Sequence, residues 1–136
     1  MNIEEQVLSR EQMAHLRLLG VDTSDASMMW YCCNKKWYLQ INNELSQGVA
    51  NVMNRADLFV PAYTIGDLIE KLPKSYKDGS LLINPANNEI DYGEWVYYDG
   101  ELCELENFVG FIGKSVIDSL YELICWVVEK HKKLIK

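Results

Sequence analysis

From Ser115 to Lys133 the chain repeats its apolar residues at the period of an α-helix. On a helical wheel, Val116, Ile117, Leu120, Tyr121, Leu123, Ile124, Val127 and Val128 share one broad face. Asp118, Glu122, Glu129, Lys130, Lys132 and Lys133 occupy the other. A stripe this wide must be buried, because each aliphatic side chain removed from water is worth about 2 kcal/mol. The helix therefore needs a wide apolar partner, and the rest of the chain predicts a sheet for it to cross.

Two shorter helices are announced by their ends. Ser9 and Gln12 form a capping box, Leu8 is placed to staple onto Met13, and Gly20 supplies a left-handed stop with Val21 folding onto Leu16. The second helix follows the extended stretch from Phe59 to Tyr63. Thr64 is its cap, Asp67 the capping-box acid and Tyr63 the staple to Leu68, and Pro73 ends it. Between these helices, residues 28–41 flank a short polar centre with aromatic and branched residues, which predicts a β-hairpin turning near Asn34 and Lys35; the turn chemistry is not ideal, so the register is open. A three-stranded meander is expected next, from Ser80 to Ile83, Ile90 to Tyr98 and Glu101 to Leu105, with Asp99-Gly100 as a hairpin turn. Gly110 and Gly113 should then loosen the backbone before the last helix. Residues 42–57 are weakly patterned and read as a loop holding a short piece of helix or strand.

These elements predict the α+β class: an antiparallel sheet, hairpin plus meander, packed by the long C-terminal helix and the two shorter ones. The length of 136 residues suits a single domain spanning 1–136, and no repeat or linker divides it. With 49% apolar and 24% charged residues the chain can bury a core without disulfides or metal.

The net charge of −7 opposes nucleic-acid binding by the surface as a whole. No Lys or Arg lies between Lys77 and Lys114, a stretch that holds Asp78, Glu89, Asp91, Glu94, Asp99, Glu101, Glu104 and Glu106. It is either a solvated face or a surface for a basic partner. Met1 leads straight into Asn2, Ile3, Glu4 and Glu5, so no leader is expected, and the apolar runs are too short for a bilayer. Cys32, Cys33, Cys103 and Cys125 show no Cys-x-x-Cys spacing, and neither His15 nor His131 stands at a ligand-like interval from them. Reduced thiols in a cytoplasmic protein, with no metal and no cofactor, are the expectation.

Candidate chemistry is sparse. The two histidines read as packing residues, the eight glycines form no phosphate loop, and the paired acids lie in the meander with no sign of a desolvated pocket. No catalytic residue is assigned. Binding features are sharper. Trp126 falls near the middle of the polar face of the last helix, among Ser119, Glu122, Glu129, Lys130 and Lys133. An indole buries on the order of 150–250 Å², so a cover is required. The N-terminal segment around Ile3 and Val7, the 42–57 stretch, or a partner for which Trp126 is the anchor would supply it. In the meander, Trp95 and Tyr97 fall on one side of the middle strand, and Ile90, Tyr92, Val96 and Tyr98 on the other. One set is core, which leaves the other for a partner. Trp126, Tyr92, Trp95 and Tyr97 are thus the candidate partner-binding residues.

Three segments, Leu8 to Trp30 (LSREQMAHLRLLGVDTSDASMMW), Pro61 to Pro73 (PAYTIGDLIEKLP) and Ile117 to Glu129 (IDSLYELICWVVE), resemble small uncharacterised proteins carried on phages and mobile elements of gut bacteria. The resemblance covers about a third of the chain and rests on capping and core positions. It implies a shared fold and carries over no functional residue.

The expected function is a non-enzymatic protein-interaction or regulatory module, joined to another protein or to a second copy in a homodimer, and not to a membrane. An alternative is a small enzyme or ligand-binding domain with a pocket near His131 and Tyr121. A weaker one is a nucleic-acid module using Lys35, Lys36, Trp37 and Tyr38.

Overall fold

A computed structural model describes the backbone of residues 3–43, 58–77, 79–98, 101–131 and 135. Side chains are described for residues 5–43, 58–77, 79–93, 109–131 and 135. The expected pieces at 44–57, the Asp99-Gly100 turn and Lys132 and Lys133 lie outside the described residues. The chain is α+β, and its antiparallel strands are divided between two sheets. It forms two compact units, Met1–Leu68 and Ile69–Lys136.

In the first unit, a 3-10 turn (Ile3–Gln6) leads to helix α1 (Arg10–Leu18). The capping box forms as the sequence requires. The Ser9 amide donates to Gln12 Oε1 at 2.9 Å, and the Gln12 amide donates to Ser9 Oγ at 3.1 Å. At the other end Gly20 takes a φ of 94°, which frees its amide for the Arg17 carbonyl and lets the Val21 amide reach Leu16, at 3.0 Å each. Met13 and Leu16 are buried from this helix, and Leu8 is buried ahead of it.

Strands β1 (Met28–Cys33) and β2 (Lys36–Ile41) form the expected hairpin, and β3 (Phe59–Ala62) pairs with the other side of β1. The two-residue turn puts Asn34 at φ 51° and Lys35 at φ 65°. Positive φ at both central residues is the type I′ pattern, whose twist matches the flanking strands. Asparagine tolerates it; lysine is strained there. Lys35→Gly should therefore stabilise the protein by about 0.5–1 kcal/mol, relief of strain exceeding glycine's larger unfolded-state entropy. Thermal unfolding should show a Tm raised by about 2–4 °C.

Pro61 sits in edge strand β3, where its missing N–H costs nothing on the open side. Helix α2 (Ile65–Lys71) begins at the Thr64–Asp67 capping box, with Thr64 N to Asp67 Oδ2 at 3.0 Å and Asp67 N to Thr64 Oγ1 at 3.1 Å. Tyr63 and Leu68 are both buried beside it.

The second unit holds the order β4-β5-β6-β7: β4 (Ser75–Tyr76), β5 (Gly79–Asn84), β6 (Glu89–Tyr98) and β7 (Glu101–Ile112). Two expectations need correction. A short strand, β4, precedes the meander. The last strand also runs through Gly110 to Ile112, because Asp91 pairs with Gly110 and Glu89 with Ile112 along the whole of β6. Backbone pairing overrides the freedom of a glycine when a complete partner strand lies alongside.

Helix α3 (Val116–His131) packs on β6 and β7, with Ile117, Leu120, Leu123, Ile124, Val127 and Val128 buried. Its cap is Ser115, whose Oγ accepts from the Asp118 amide at 3.2 Å. Ser119, expected on the polar face, is fully buried. Its hydroxyl accepts from the Gly113 amide at 2.7 Å and donates to the Asn88 carbonyl, fastening the β5–β6 turn to the start of the helix.

Candidate interaction surfaces

In the second unit, the β4–β5 pairing sets Tyr76 opposite Gly79. From there the Tyr76 ring reaches the C-terminal part of α3. It meets Trp126 edge-on at 87°, with centroids 5.3 Å apart, and His131 at 5.2 Å. Trp126 and His131 stand 5.3 Å from each other, so the three rings touch pairwise. Tyr92 lies 6.0 Å behind Tyr76, and Lys77 Nζ is 5.6 Å from the Tyr76 centroid. Edge-to-face pairs of this kind add about 0.5–1.5 kcal/mol each beyond burial. Trp126 remains half-buried, with Tyr76 and His131 as its ring neighbours. Sequence reasoning missed Tyr76. The signal was a lone aromatic between the helix-stopping Pro73 and the strand at Ser80, in a segment too short to show a period.

Tyr92 is not a surface residue, which corrects its assignment to a partner. It is fully buried, its hydroxyl donates to the Pro73 carbonyl at 2.6 Å, and burial pushes its pKa up. Ile90, Asp91 and Tyr92 are buried in succession, so both sides of β6 are occluded here and alternation cannot separate core from surface. The register also shifts at Tyr92/Gly93 and again at Glu94/Trp95, each time with the extra residue on β7. Trp95 is in register with Glu104 and Tyr97 with Leu102. The side chains of Trp95, Tyr97 and Cys103 lie outside the described residues.

Tyr121 and His131 are not brought together. Their separation along α3 is about 15 Å at 1.5 Å per residue. Tyr121 is hydrogen-bonded to Cys125 one turn on, and burial raises the pKa of both. The Cys125 thiol is thereby held protonated, the opposite of what a nucleophile needs. Among the described residues, no group of three or more His, Cys, Asp or Glu converges as metal ligands do.

In the first unit, Lys35, Lys36, Trp37 and Tyr38 do not make one patch. Strand alternation sends Trp37 and Tyr38 to opposite faces. The Arg10 guanidinium sits 4.1 Å from the Trp37 ring centroid, and Trp30 on that same face donates from Nε1 to the Leu8 carbonyl at 3.0 Å. Tyr38, 42% exposed, faces the other way and packs on Tyr31 at 5.4 Å with a 30° tilt. Also in this unit, Tyr63 shares its hydroxyl proton between the Asp22 carbonyl and Asp25 Oδ1, both at 2.8 Å. Burial, then the Asp25 carboxylate, raises its pKa, so the phenol stays neutral.

No helix among the described residues is long and apolar enough to cross a membrane. No protein-family model matches this chain, and comparison with curated proteins and with solved structures finds no match.

Proposed function

We propose that this protein is a non-enzymatic interaction module that joins another protein or a second copy of itself through the Trp126 side of α3. One observation carries the reading. Trp126 has Tyr76 and His131 as ring neighbours yet stays only half-buried. A partly exposed indole on a helix is the kind of anchor that dominates interface energetics. Glu122, Glu129 and Lys130, exposed on the same helix, would form the polar rim. A cytoplasmic setting is supported by Cys32 and Cys33, which carry no disulfide. The resemblance to proteins of phages and mobile elements suits a regulator of host proteins, by analogy of origin alone.

The test compares wild type with Trp126→Glu. Light scattering and affinity capture from the native cell should show an assembly, with itself or with one protein, that the variant loses by at least about tenfold in affinity. Near-ultraviolet circular dichroism checks that the core is intact. If both proteins run as equal monomers and neither retains a partner, the reading fails.

A further inference from the structure

The hairpin end of the three-stranded sheet offers a second surface, with Tyr38 exposed and Tyr31 and Phe59 half-buried, independent of the Trp126 reading. The register places Phe59 opposite Tyr31 and Tyr31 opposite Tyr38, one aromatic from each strand in a single row. Residues directly opposite share a face, so the three stand on one side of the sheet. The Tyr31 and Tyr38 rings are 5.4 Å apart and tilted by only 30°, close to the strand spacing itself. Lys36, opposite Cys33, occupies the next row of that face, and Lys35 lies in the turn beside it; both are exposed. The other face of the hairpin is taken up by Arg10 over Trp37 and by the Trp30 contact to Leu8.

The geometry points to single-stranded nucleic acid as the ligand of this row, with bases stacked on Tyr38 and Tyr31 and phosphates met by Lys36 and Lys35. Flat rings at strand spacing accept any base face, which is how sequence-tolerant single-strand binders work. The charge pattern selects this occupant. An apolar peptide would leave both lysines without counter-charge, whereas a phosphodiester strand supplies one at each step. The net charge of −7 repels such a strand elsewhere and confines it to the hairpin end. The weaker sequence alternative is thereby relocated: Trp37 drops out, and Tyr31 and Phe59 enter.

Fluorescence anisotropy with a labelled oligothymidylate at low salt tests it. Wild type should bind saturably. Tyr38→Thr, which keeps strand propensity and removes the ring, should weaken binding about tenfold. The Lys35→Glu, Lys36→Glu double variant should abolish it, and in wild type the affinity should fall with salt as expected for about two phosphate contacts. Leu18→Ala, at a position 85% exposed on α1, should bind as wild type does. The inference is overturned by any of three results: no saturable binding by wild type, unchanged binding by Tyr38→Thr, or equal binding of an oligoglutamate peptide, which would reduce the patch to charge alone. None of these results bears on Trp126, so the two readings stand or fall separately.

Discussion

Ser119→Ala should cost the protein about 2–4 kcal/mol, far more than loss of one small side chain suggests. The hydroxyl accepts from the Gly113 amide at 2.7 Å and donates to the Asn88 carbonyl, with the Ser115 carbonyl at 3.1 Å also in reach. Alanine leaves a donor and an acceptor without a partner, and each orphaned group costs about 1–3 kcal/mol when water cannot replace it. Ser119 is fully buried while Gly113 and Asn88 are half-buried, so water replaces the lost bonds only in part. Asn88 cannot readily adjust either, because it holds a φ of 59° and donates from Nδ2 to the Lys114 carbonyl at 3.2 Å. The measurement is urea unfolding, in which the midpoint should fall with the slope unchanged. Amide exchange at Gly113 should accelerate in the same variant. A loss below about 1 kcal/mol with Gly113 still protected would show that the bridge does not hold the helix start. Ser115→Ala, which removes only the cap, should cost about 1 kcal/mol and serves as the comparison.

Asp67→Ala should cost about 2 kcal/mol, through a carboxylate that serves two segments at once. Oδ2 accepts from the Thr64 amide at 3.0 Å and from the Ser27 amide at 2.9 Å, while Oδ1 accepts from the Ser27 hydroxyl. One residue therefore completes the cap of α2 and ties down the chain just before β1. A negative charge at a helix N-terminus adds about 0.3–1 kcal/mol. The Ser27 bonds are exposed, so water recovers part of their loss, which keeps the estimate near the cap value. Asp67→Asn retains one acceptor oxygen and should fall about midway, and Ser27→Ala should cost less than either. Thermal unfolding of the three variants gives the order directly. Equal effects of Asp67→Ala and Ser27→Ala would show that the cap contributes nothing beyond the Ser27 link.

The legible parts of this fold are those whose cause is local. Ser9 with Gln12, Gly20, and Thr64 with Asp67 satisfy helix-end amides and carbonyls within a few residues, so their chemistry stands in the sequence as it stands in space. The hairpin and the buried stripe of α3 were equally plain, because a period of two or 3.6 residues needs no knowledge of the partner, whereas the turn chemistry leaves the hairpin's register open. Tyr92 was misplaced for the opposite reason. Its assignment depended on which side of β6 the chain covers, and there Ile90, Asp91 and Tyr92 are all buried. Ser119 carried the same difficulty: a wheel sorts it by polarity, but its hydroxyl is satisfied by Gly113 and Asn88, which approach only once the sheet is assembled.

The sequence by itself determined the α+β class, the helix ends, the existence of the hairpin and the apolar stripe of α3, since each follows from backbone bonding or periodicity within a short window. Tertiary structure alone decided that Tyr76 meets Trp126 and His131, that Phe59, Tyr31 and Tyr38 fall into one row, and that the strands divide into two sheets. Those outcomes depend on strand order and register between segments far apart in the chain, and pairing energies of that kind are set by the partner strand as much as by the residues themselves.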